Sequence, residues 1–316
     1  MQPPAMDKNP LIEIILFMRY RGMDSRRVVS IFLLISMIVF PISSLAAGKY
    51  EKPIVYFSAI TLYHPLVMYQ KYQPLMEYLS EHTPYRFELK LSQNYEDIIK
   101  FLKTNKVQVA LLGGVTYLEA KRQFNVIPIL EPLGRDGRPY YRSVFITQEG
   151  NTKINRISDL KGKSVAFASD CSTSGNLIPL YELYAKGRIR LEDLSKHVNL
   201  KYHDAVAREI LRGEYEAGAV IDSVANKFKG KGLKIIHISD PIPGLPIVVR
   251  ADVSPLVVKA IKKALLSLDY NNAGDRKVLN QFDKEFRFGF AEAKDSDYDS
   301  IRRKINYLKR RGVRIP

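Results

Sequence analysis

Ser164-Val165-Ala166-Phe167-Ala168 is a short apolar run, continued by Ser169-Asp170-Cys171 and then by Ser172-Thr173-Ser174-Gly175-Asn176-Leu177-Ile178-Pro179. A strand that passes through a hydroxyl-rich turn into a helix, predicted here from Asn176 to Lys186, is the repeating step of an α/β fold. The start of a helix carries unpaired N–H groups and a partial positive charge, so this turn can hold an oxyanion. Three hydroxyls add donors, and Gly175 lets the backbone approach closely. Such a cradle needs no lysine or arginine. The residues also have a plainer reading, in which one serine caps the helix and its neighbours fill the turn. Three consecutive hydroxyls exceed what one cap requires.

The same alternation extends outward from this stretch. Upstream, Ile54 to Phe57, Arg86 to Leu91 and the continuous apolar run Val107 to Leu112 read as strands. Helices are predicted at Met68 to Leu79, at Tyr95 to Lys103 and at Thr116 to Phe124 after Gly113-Gly114. Downstream, strands are predicted at 198–202, 217–221 and 233–238, interleaved with helices at 203–212 and 223–229, and a long amphipathic helix runs from Ser254 to Leu268. Helices that follow the last strand of the second unit are explained if that unit is inserted into the first. Lobe 1 is then 48–145 plus 247–316 and lobe 2 is 146–246, with crossing strands near 141–149 and 243–250 as the hinge. A ligand is expected between the lobes.

The 316 residues are 46% hydrophobic, contain one cysteine and no tryptophan, and carry a net charge of +16. A lone Cys171 excludes a disulfide framework and a multi-cysteine metal site. The densest basic run, Arg302 to Arg314, alternates with Ile301, Ile305 and Leu308, which reads as the solvated face of a terminal amphipathic helix. No aromatic-interleaved or zinc-finger pattern accompanies it, so nucleic acid is not an expected partner. Arg26-Arg27, the apolar run Val28 to Phe40, Pro41 and the small residues Ser44 and Ala46 form a secretory leader over residues 1–47, with cleavage expected after Ala46. The alternative is an uncleaved membrane anchor, for which the apolar core is short. The expected location is the periplasm.

The run Phe167 to Pro179 resembles the phosphate/phosphite/phosphonate binding proteins of bacterial ABC transporters. Further matches follow in order along the chain: Tyr95-Glu96-Asp97-Ile98-Ile99, Tyr141-Arg142-Ser143, Ile157 to Lys163, Tyr202-His203-Asp204-Ala205, Ile242 to Val248 and Asp297 to Arg302. The resemblance implies a two-lobed periplasmic-binding-protein fold of type II, α/β throughout, with hinged lobes. It implies that Ser172, Thr173, Ser174 and Gly175 hold the phosphoryl oxygens together with His203, and that Tyr95 and Tyr141 close over them. It implies no cofactor, no metal and no catalysis, an ABC permease as partner, and a monomer.

Aminophosphonate binders place carboxylates around the ligand's ammonium. Here one such position is Leu245, and Asp222 lies one residue from the other. Leucine beside a cleft disfavours a cation, because unpaired charge is costly to desolvate. An anion without an amine is therefore expected, with Asp222 a remnant acceptor either for an ammonium or for a protonated ligand oxygen. The competing function is a sensor that docks on a membrane receptor kinase instead of a permease. An enzyme using Cys171 or His203 lacks a nucleophile motif to support it.

Overall fold

The structure is a computed structural model that describes residues 51–316. The expected leader and its cleavage site lie outside the described residues. The first strand, β1 (Ile54–Ala59), leads into helix α1 (Pro65–His82), and β2 (Arg86–Leu89) leads into α2 (Tyr95–Lys103). Asn94 starts α2 by accepting a hydrogen bond from the Asp97 N–H at 2.8 Å. Strand β3 (Val109–Leu111) follows, then α3 (Gly114–Gln123) and β4 (Val126–Pro132). β1 lies between β2 and β3, all parallel, and β3 is buried on both faces, which explains its unbroken apolar run.

The chain then leaves this sheet through β5 (Tyr140–Tyr141) and enters β6 (Ser143–Gln148). A second sheet is built from β6, β7 (Ser164–Phe167), β8 (Lys196–Asn199), β9 (Ala217–Ile221) and β10 (Leu233–Ile238), in the order β10-β6-β9-β7-β8. Its helices are α4 (Ile178–Glu182), α5 (His203–Arg212) and α6 (Asp222–Phe228). Helix α5 packs tightly on β9, because a Cβ at Gly218 would stand 2.6 Å from Val206 Cγ1.

The return path is β11 (Ile242–Pro243), which pairs antiparallel with β5 in a two-stranded ribbon. Strand β12 (Ile247–Arg250) then slots between β3 and β4, antiparallel to both. Helices α7 (Pro255–Leu266) and α8 (Ala273–Leu279), strand β13 (Phe290–Glu292) and helix α9 (Asp299–Lys309) complete the first body, whose sheet order is β13-β4-β12-β3-β1-β2. Strand β6 lies wholly in the second sheet, so the two bodies exchange chain at Tyr140–Arg142 and again at Ile242–Pro246.

Two local readings change. The helix predicted from Asn176 begins earlier, and α4 is flanked by widened π turns at Thr173–Leu177 and Leu183–Gly187. Such turns displace the ladder by one residue and commonly adjoin sites. The C-terminal basic run is also not uniformly solvated. Half-buried Arg302 bonds Asp295 at 2.5 Å and Asp299 at 2.6 Å, while Lys304 sits 5.2 Å from the centre of the Tyr181 ring in the second body.

Candidate functional site

Strands β1, β3, β7 and β9 all point their carboxyl ends at the seam between the two bodies, the usual place for a ligand in such sheets. The hydroxyl run follows β7 into this seam. Ser172, Thr173 and Ser174 are only 2%, 2% and 3% exposed. Ser172 caps the turn, its Oγ accepting from the Gly175 N–H at 3.0 Å. The plain capping role therefore belongs to Ser172, and two hydroxyls exceed it.

His203 stands directly behind. Its Nδ1 accepts from the Ile221 N–H at 3.0 Å, which places the proton on Nε2, and Nε2 donates to Ser172 Oγ at 3.1 Å. Burial holds this imidazole neutral, with its pKa lowered to about 3. Ser172 Oγ thus accepts two bonds, leaving its own hydrogen to donate. Thr173 repeats the pattern from the other body: its Oγ1 accepts from the Val115 N–H at the start of α3, at 3.0 Å. Close approach there depends on Gly113, where a Cβ would lie 3.2 Å from Thr173 Oγ1. Ser143 Oγ fixes the run from below by donating to the Ser174 carbonyl at 2.6 Å.

Tyr95, the first residue of α2, is buried and faces Ser172, yet among the described residues its hydroxyl makes no hydrogen bond. Tyr141, in the ribbon, faces the Thr173 and Ser174 side chains. Burial raises both phenols above their ordinary range, so they are neutral donors. The structure therefore gathers Ser172, Thr173, Ser174, Gly175, His203, Tyr95 and Tyr141 in one seam. Asp222 and Leu245 lie beside it, lining with Tyr141 a cavity of about 260 Å³. Burial raises the Asp222 pKa, offset in part by the Arg142 N–H that donates to it at 3.1 Å.

Three participants escaped the sequence reading. Val115 could have been found, since Gly113-Gly114 ends a strand and opens a helix. Glu285 lines the cavity and Tyr63 faces Ser223, but neither lies in a periodic element or a motif. Cys171 is buried and its thiol donates to Glu96 Oε1 at 3.6 Å. Burial and the neighbouring Asp170 and Glu96 push that thiol up, which keeps it protonated.

Two α/β bodies joined by a double crossover, with donors converging in the seam, define a two-lobed solute-binding protein. Residues 57–298 match the family described as ABC transporter, phosphonate, periplasmic substrate-binding protein, and the chain belongs to that family. It is 29% identical over 194 residues to the phosphonates-binding periplasmic protein of Escherichia coli, across 58% of this chain and 57% of that one. The match thus spans little more than half of that relative. It is 25% identical to the phosphate-import protein PhnD of Mycolicibacterium smegmatis, across 73% of this chain and 78% of the relative. The structure of PhnD1 from Prochlorococcus marinus in complex with methylphosphonate has the same fold, with a TM-score of 0.71 at 22% identity, covering 82% of this chain and 99% of that one.

Proposed function

We propose that this protein captures a phosphate-, phosphite- or phosphonate-type oxyanion between its lobes and delivers it to the permease of an ABC importer in the inner membrane. It works in the periplasm, after a secretory leader is cleaved following Ala46, as a monomer without cofactor or metal. The observation that carries the reading is the directed set of hydroxyls. Ser172 and Thr173 accept bonds from His203, Gly175 and Val115, so their own hydrogens are left to donate to a ligand. The neutral Tyr95 and Tyr141 phenols add donors from the opposite side. His203 acts through Ser172, because both ring nitrogens are already engaged. Asp222 is the acceptor near this donor set, which suits an anion carrying a proton better than sulfate. Membership of the family, and relatives named for binding phosphonates and importing phosphate, support the same class.

Lobe closure then follows from contacts that exist only when both halves grip one anion, with the bend at the β5/β11 ribbon. The lobes divide at that ribbon rather than inside β6.

A thermal-shift screen of residues 47–316 tests the proposal. Phosphate, phosphite or methylphosphonate at about 100 times its dissociation constant should stabilise the fold by roughly 2.7 kcal/mol, and sulfate should do much less. No stabilisation by any of the three would refute it. Thr173→Ala removes one donor and the bridge to Val115, and should weaken anion binding by about 1–3 kcal/mol in calorimetric titration. Full affinity in that variant would take Thr173 out of the site.

A further inference from the structure

A second cavity, of about 430 Å³, shares no lining residue with the seam site and is built from both bodies. Tyr184, Arg188, Arg190 and Glu192 come from the second body, while Tyr307 of α9 and Arg311 just beyond it come from the first. Three guanidinium groups and one carboxylate therefore line it. That carboxylate, Glu192, reaches Arg190 at 3.8 Å between exposed side chains, a pair that contributes little. Among the described residues, Arg188 and Arg311 have no carboxylate partner.

The aromatic residues and the backbone hold these charges in place. Arg311 lies over the Tyr307 ring, 3.5 Å from its centre, and donates to the Tyr307 carbonyl at 3.1 Å. Tyr307 packs in turn against Tyr181 of α4, with 5.1 Å between ring centres, so the first body's wall is braced by the second. Arg188 ends the widened turn Leu183–Gly187 in the left-handed conformation, with φ 53°. Glycine takes that conformation freely, whereas an arginine there is strained. The Tyr184 hydroxyl accepts from the Leu191 N–H at 3.3 Å, which leaves its own hydrogen to donate.

We propose that this cavity is a second anion site, which takes linked phosphoryl groups such as those of pyrophosphate and spans the two bodies. Arg188 and Arg190 bind from the second body, Arg311 binds from the first, and the Tyr184 hydroxyl adds a neutral donor. Guanidinium groups match phosphoryl oxygens in pairs, and they are charged at every working pH. Their donors outnumber the oxygens of a dicarboxylate, and positive charge divided between two walls suits an anion whose charge is divided too. The volume is ample for two phosphoryl groups, since one water takes about 30 Å³. An anion gripped from both walls ties the bodies together at their rim, whatever the seam holds.

The test is calorimetric titration of pyrophosphate into residues 47–316 at pH 7 and low ionic strength, with methylphosphonate in excess to fill the seam. The native protein should bind pyrophosphate about tenfold or more tightly than it binds orthophosphate or citrate. Arg188→Gln and Arg311→Gln should each weaken pyrophosphate by about tenfold. Both side chains are exposed, so neither exchange threatens the fold. Arg156→Gln, which alters an exposed arginine paired with Asp159 elsewhere in the second body, should change nothing. Absence of pyrophosphate binding, or equal affinity for orthophosphate or citrate, would overturn the inference. So would full affinity in Arg188→Gln or in Arg311→Gln, because the site needs both walls. An equal loss in all three variants would also overturn it, since that marks diffuse attraction to a basic surface.

Discussion

Gly175→Ala is expected to lower oxyanion affinity by at least about a hundredfold, equivalent to roughly 2.7 kcal/mol. A Cβ there would stand 2.4 Å from Ala168 Cβ, 2.7 Å from His203 Cε1 and 3.0 Å from Ser172 Oγ. The first two contacts are too short to exist, and both partners are buried in the second body. Relief requires His203 or the hydroxyl run to move, and either shift breaks the bond between Ser172 Oγ and His203 Nε2. Overpacking a tight site also costs about 1–3 kcal/mol of stability, so the midpoint of thermal unfolding should drop by several degrees. Gly150→Ala is the control, because a Cβ there meets nothing within 4 Å. Native-like affinity in Gly175→Ala, measured against that control, would show that the turn does not shape the site.

Acid should destabilise the protein through His203. This imidazole titrates at about 3 in the folded protein, against 6.5 ordinarily, because burial penalises its charge. Between those values the unfolded chain binds a proton that the folded chain refuses. Stability is therefore fully present above pH 6.5 and falls as the pH drops, at up to about 1.4 kcal/mol per pH unit. Urea unfolding at pH 7, 6 and 5 should trace this loss. His203→Gln can still accept from the Ile221 N–H and donate to Ser172, but it does not titrate, so its slope should be shallower by about that amount. Equal slopes in the two proteins would mean that the ring is solvated and that the Ser172 hydroxyl is not fixed from behind.

The legible features were those with a local cause. The hydroxyl run is legible because a strand end followed by a cap and a glycine within four residues of each other has few other uses. The strands at Ile54, Val109 and Ala217 announced themselves by unbroken apolar runs, as buried parallel strands do. The π turns around α4 were hidden, because widening a helical turn leaves no mark in periodicity. Glu285 was hidden for a different reason. It lies in a one-turn segment after α8, more than 60 residues from Asp222 in sequence, and the contacts of Lys71 and Tyr72 with Asp283, Glu285 and Phe286 carry it to the cavity. Amphipathic spacing cannot distinguish water from the flank of a second body, against which Lys304 lies, or from the neighbouring carboxylates that hold Arg302.

The position of β12 also constrains how the chain reaches its native form. Among the described residues it is the only link between β3 and β4 within the first sheet, and it is made after the whole second body. The second sheet spans one contiguous stretch and can assemble from comparatively near neighbours in the chain. The first waits with an open gap at its centre until residue 247 arrives, and such distant pairing is slow. The first body of a polypeptide built this way therefore closes only after the second has been made in full.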